Sequence, residues 1–96
     1  MEYTYETESD DLYVRLSHEL VAKTISVTDR CLVDVDHQGK AVGIEVLAVS
    51  AGWPIDDVVT RFHLEQVRPL LNELGHLRPV GGVPSGRPDL ARLIPV

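Results

Sequence analysis

Asp34, Asp36 and Glu45 are the residues whose types and spacing best suit chemistry in this chain. Asp34 and Asp36 alternate with Val33 and Val35, and Glu45 alternates with Ile44 and Val46. Two extended neighbouring segments would aim all three carboxylates at one face. Carboxylates gathered in that way offer oxygen ligands to a hard divalent cation, or raise one another's pKa toward acid–base use. Such a cation takes six or more oxygens, and no wrapping loop is at hand to complete the set. The plainer expectation is a solvated acidic face with Arg15 as its internal counter-ion. Tyr13 falls at the same parity. The candidate binding surface is therefore Tyr13, Arg15, Asp34, Asp36 and Glu45, with Glu6 beside it, and Asp34, Asp36 and Glu45 double as the metal candidate. No catalytic residue is assigned and no cofactor is expected.

Other reactive residue types offer less. His18, His37, His63 and His76 fall at no metal-binding spacing, and the neighbours of His63 four residues away are Val59 and Val67. Cys31 lies at an apolar position, where a thiol behaves as a small inert hydrophobe. Ser50-Ala51-Gly52 and Ser85-Gly86 lack the strand-turn-helix setting of a nucleophile elbow and the glycine spacing of a phosphate loop.

A sheet must position the acidic face. Period-two alternation predicts strands at residues 2–7, 11–17, 30–36 and 41–48, arranged as a four-stranded antiparallel meander. Asp36 to Lys40 should form a hairpin turn, with Gly39 at positive φ. Pairing Val35 with Val42 and Val33 with Ile44 matches apolar to apolar and leaves a four-residue loop, His37 to Lys40, a count that a bulge at Gly39 would shift by one. From residue 54 the period changes, and Val59, Phe62, Val67, Leu70, Leu71 and Leu74 recur near helical spacing. Asp56 and Asp57 suit the first turn of that helix. Pro69 interrupts the pattern, so residues 55–74 should hold one kinked helix or two helices, at 55–67 and 69–74, ended by Gly75.

The expected organisation is one α+β domain over residues 1–75 and a Gly/Pro-rich arm over 76–96. One helical turn is expected at 88–93, starting on Pro88. A single helix pair covers only part of such a sheet. Trp53, with Leu90, Leu93 and Ile94 of the arm, is therefore the expected partner or dimer contact, and a homodimer is expected.

The chain has 96 residues, 44% of them hydrophobic, and a formal net charge of −6. That length holds one core. Residues 1–47 carry 4 Lys/Arg against 10 Asp/Glu, so the excess acid belongs to the sheet half. Such a field disfavours direct nucleic-acid binding and suits a basic protein partner. An N-terminus without a basic then apolar run, together with one cysteine, leads us to expect a cytoplasmic protein with no membrane association.

The run Asp34-Val35-Asp36-His37-Gln38-Gly39-Lys40-Ala41-Val42-Gly43-Ile44-Glu45, together with Tyr3-Thr4-Tyr5 and Asp10-Asp11-Leu12-Tyr13-Val14-Arg15, resembles the small YuzE-like family of bacterial and archaeal proteins of unknown function. The resemblance covers about residues 1–50 and rests on Tyr5, Glu6, Asp11, Tyr13, Asp36, Gly39, Gly43, Ile44 and Glu45. It implies a small antiparallel sheet with helical packing and a dimer, and it implies no established activity. The genomic setting of some members hints at small toxin–antitoxin pairs.

Two functional classes follow. The first is a non-enzymatic protein-binding module, in its sharper form an antitoxin-like subunit whose acidic face meets a basic partner. The second is a small metal-dependent or acid–base enzyme built on the three carboxylates. A DNA-binding regulator using Arg61, Arg68 and Arg78 ranks last, because Asp57, Glu65 and Glu73 are mixed among those arginines.

Overall fold

Alternating apolar residues become strands wherever one side of the chain can be buried. A computed structural model describes residues 1–77 and the strand at 91–93. Five antiparallel strands carry the sheet: β1 (Glu2–Glu6), β2 (Asp11–Arg15), β3 (Lys23–Thr28), β4 (Cys31–Val35) and β5 (Ala41–Val46). A three-residue strand, β6 (Ala91–Leu93), extends it. Two helices, α1 (Ile55–Phe62) and α2 (Arg68–Leu74), follow β5, and short 3₁₀ turns precede each of them.

The α+β class and the antiparallel sheet followed by helices agree with the expectation, but the strand count and order do not. The order is β3-β4-β5-β2-β1-β6, so β2 lies beside β5 and the connection from β2 to β3 crosses to the far edge. The expected four-stranded meander is thus replaced. Parity alone cannot separate the two orders, because β4 and β5 each present an apolar side that suits β2. The strand absent from the expectation, β3, has only Ile25 and Val27 half-buried.

The β4–β5 hairpin is a second correction. Val33 lies opposite Ile44 as expected, but Val35 lies opposite Ala41, and Val42 is an extra residue in a bulge. The Asp36 N–H donates to the Lys40 carbonyl, and Gly39, at φ 79°, donates to the Asp36 carbonyl. Gly39 therefore closes a three-residue loop rather than a four-residue one. The bulge absorbs the odd residue and keeps Val42 buried.

One face of the sheet forms the core. Tyr5, Leu12, Val14, Cys31, Val33, Val35, Ile44 and Val46 pack there with Val49, Val58, Val59, Leu71 and Leu74. The helices break earlier than Pro69 suggested: α1 ends at His63, which takes a left-handed conformation (φ 58°), and Pro69 sits inside the first turn of α2, where its missing N–H costs little. The helix expected over 55–67 thus stops at Phe62. Arg68 reaches back across the break to pair with Asp56. The helical turn expected at 88–93 is strand over its described part, because so short a segment cannot nucleate a helix while β1 offers it backbone partners. No helix among the described residues is long and apolar enough to cross a membrane.

Candidate functional site

The face opposite the core is built by the other parity of the same strands. Its central row runs Thr4, Tyr13, Glu45, Leu32 and Ser26 across β1, β2, β5, β4 and β3. The next row runs Glu2, Arg15, Gly43, Asp34 and Thr24. Beyond the central row on the other side, Glu6 lies opposite Asp11. Among the described strand residues, five carboxylates (Glu2, Glu6, Asp11, Asp34 and Glu45) therefore share the face with one basic side chain, Arg15. Among the described residues no helix crosses this side of the sheet, because the buried residues of α1 and α2 all belong to the cluster on the other side.

Tyr13 holds the face together. Its hydroxyl donates to Asp34 Oδ2 at 2.9 Å, and the Thr24 hydroxyl donates to Asp34 Oδ1 at 2.6 Å. This chain of bonds links β2 to β3 through β4 and skips β5, so the tyrosine must cross a whole strand, two interstrand spacings or about 10 Å. Gly43 makes the crossing possible. A Cβ at that position would stand 2.0 Å from the Tyr13 hydroxyl oxygen, so only a residue without a side chain lets the ring lie flat across β5. Burial, then the hydrogen bond and charge of Asp34, push the Tyr13 phenol up to about 12. Glu45 adds to the rise and Arg15 opposes it. Tyr13 is thus a fixed donor at neutral pH, unsuited to give up its proton in acid–base chemistry.

The three carboxylates read as a possible metal set are placed differently from one another. Asp34 takes the two hydroxyls just described. Glu45 is exposed between Tyr13 and Leu32. Asp36 belongs to the hairpin turn, where its Oδ1 accepts the N–H groups of Lys40 (3.0 Å) and Gln38 (2.9 Å). Those backbone donors, Lys40 first, hold its carboxyl below the usual range. Among the described residues no group of three or more His, Cys, Asp or Glu side chains is placed to hold a metal ion. Arg15 is exposed on β2, opposite Gly43. Trp53 is half-buried against the core, and its indole Nε1 is buried with no hydrogen-bond partner. Leu93 lies in β6, in register with Glu2. Leu90 and Ile94 lie outside the described residues.

Asp10 is a structural site that residue types alone did not single out. It sits in the β1–β2 turn at φ 58°, a conformation that Asp tolerates better than most residues. Its carboxylate accepts the Tyr5 hydroxyl at 2.6 Å, and the N–H (3.1 Å) and hydroxyl of Ser50. Its carbonyl accepts the Val49 N–H. The turn cluster Glu8-Ser9-Asp10-Asp11 was the only signal for it. Cys31 is fully buried on the core side, where burial pushes its thiol up to about 11.

Residues 2–50 match the family described as protein of unknown function (DUF2283). The match spans β1 to β5, and so contains Tyr13, Asp34, Gly43, Glu45 and Asp10, and ends just before α1. No curated protein and no solved structure matches the chain.

Proposed function

The chain belongs to the DUF2283 family of proteins of unknown function, and we propose that it is a non-enzymatic binding module whose acidic sheet face receives a basic segment of another protein. The observation that carries this reading is the face that no described helix covers, with five carboxylates against Arg15 among the described strand residues and a tyrosine pinned flat at its centre. Electrostatic attraction of that kind raises association rate and selects partners by charge. The pinned ring adds rigid contact area at little entropic cost. The sharper form, an antitoxin-like subunit of the YuzE-like kind, rests on the sequence resemblance and gives the basic partner a role as the toxin.

The test uses two baits in a native lysate, the protein and its Glu6→Lys/Glu45→Lys variant. A basic protein held by the first bait, released by salt and lost from the second is the expected result. Recovery of the bait alone, or of the same proteins by both, would overturn the reading. The three-carboxylate enzyme predicts a melting temperature raised by Mg²⁺, Ca²⁺ or Mn²⁺, by the equivalent of about 2.7 kcal/mol at 100 times the dissociation constant. The binding module predicts no such shift.

A further inference from the structure

Strands β1, β2 and β5 meet at one end of the sheet, where β1 and β5 begin and β2 finishes. There Met1, Leu16 and Ala41 stand beside Leu64 and Val67, from the break between α1 and α2, and with the β4–β5 turn they enclose a cavity of about 430 Å³. Small-molecule sites occupy roughly 300–1,000 Å³ and combine an apolar lining with a few placed polar groups. None of the residues lining this cavity belongs to the acidic sheet face.

The lining divides by depth. Met1, Leu16, Leu64 and Val67 are half-buried and pack against the core, and Ala41 is buried. Glu19, Gln38 and Lys40 are exposed, and Asp36 is half-buried. An aliphatic floor thus meets a rim that carries both signs of charge. Backbone bonds hold the wall in place without a ligand. The carbonyl of the bulged Val42 accepts the N–H groups of Leu16 (2.9 Å) and Ser17 (3.3 Å), and at the helix break the Leu64 and Val67 N–H groups donate to the carbonyls of Val59 and Leu64. A site ordered in this way binds with little entropy left to lose.

The fold leaves the rim charges unpaired. Asp36 Oδ1 accepts the N–H groups of Lys40 and Gln38, which keep the carboxyl ionised at neutral pH, whereas Oδ2 has no bond among the described residues. Glu19 and Lys40 belong to no ion pair among the described residues, and Lys40 flanks Asp36 across the turn without pairing with it. A purely cationic ligand would leave Lys40 facing its own charge, and a purely anionic one would face Asp36 and Glu19. A molecule with both charges at one end and an aliphatic body at the other suits floor and rim together, and its two charged ends can each make a charge-assisted hydrogen bond.

We propose that this cavity binds a free amino acid with an aliphatic side chain, its ammonium on Asp36, its carboxylate on Lys40 and its side chain among Leu16, Leu64 and Val67. The site is independent of what the acidic face binds, so failure of either proposal leaves the other standing.

Calorimetric titration of the full chain tests it, with leucine as the probe. Three analogues each lack one feature: isoamylamine the carboxylate, isocaproate the ammonium and glycine the apolar body. Each should bind roughly tenfold or more weakly than leucine. Lys40→Met keeps the backbone N–H that Asp36 accepts, and Asp36→Asn keeps an oxygen to accept it, so the turn survives in both variants, as circular dichroism can verify. Both should weaken leucine binding roughly tenfold, and Lys40→Met should leave the affinity for isoamylamine unchanged. In the natural sequence, leucine should shift the amide resonances of Leu16, Ala41 and Leu64. No binding of leucine at millimolar concentration, or leucine binding indifferent to both variants, overturns the proposal. So does any analogue that matches leucine, and a match by isoamylamine would mark a seat for an amine alone.

Discussion

Gly43 and Tyr13 behave as one unit at the scale of single residues. With a Cβ 2.0 Å from the phenol oxygen, Gly43→Ala forces the ring off β5 and breaks its bond to Asp34. Urea unfolding should show a loss of about 1–3 kcal/mol, the usual cost of overpacking. In a Tyr13→Ala background the three atoms nearest the added methyl are gone, so the same substitution should then cost far less, and the double-mutant cycle should show strong coupling. Tyr13→Phe keeps the ring and removes one hydrogen bond, for about 0.5–1.5 kcal/mol. Its effect depends on pH. The phenol titrates near 10 in the unfolded chain and at about 12 in the folded one, so the hydroxyl's contribution is complete below pH 10 and is lost as the pH climbs to 12. The stability gap between the protein and Tyr13→Phe should therefore close over that window, and equal slopes for the two proteins there would contradict the assignment.

Among the elements, three connections hold a non-glycine residue at positive φ, at Asp10, Ala48 and His63, and the first and last do so for different reasons. His63 ends α1 at φ 58°, and its exposed side chain has no described bond to the rest of the fold. His63→Gly relieves the backbone and should raise the midpoint of thermal unfolding, by the equivalent of about 0.5–1 kcal/mol. Asp10 sits at the same φ but holds Tyr5 and Ser50. Asp10→Gly should therefore destabilise, by about 1–3 kcal/mol, because it removes the carboxylate that accepts the hydroxyls of Tyr5 and Ser50 and the Ser50 N–H. The contrast shows what patterning can and cannot reveal. Strands β1, β2, β4 and β5 were legible because apolar residues alternate along each sequence, a pattern that burial follows cleanly in β2 and β4. So was the break between the helices, although it falls at His63 rather than at the proline. Lys23–Thr28 escaped because an edge strand buries only half of two side chains. The bulge at Val42 escaped because it repairs the parity on which the register argument relied.

For the molecule as a whole, the placement of charge was readable and the order of strands was not. Half of the ten acidic residues of 1–47 lie on one face, and Tyr13, Arg15, Asp34 and Glu45 share it as their alternation required. Asp36 departs from that face because the turn uses its carboxylate to hold backbone N–H groups. The network at Asp10 joins residues 40 positions apart and could not be found before β2 was known to lie beside β5. That crossover also has a consequence in time. Strands β3, β4 and β5 are consecutive, and each closes on its neighbour through a short turn, whereas β2 must wait for β5 across the whole length of the meander. Nearby pairings pay less loop-closure entropy and form first, so the meander is the expected folding nucleus and the β1–β2 hairpin docks late. Val33→Ala should then slow refolding, while Asp10→Gly should leave the refolding rate nearly unchanged and hasten unfolding. The tie between Asp10 and Ser50 thus governs how long the folded chain lasts rather than how quickly it is made.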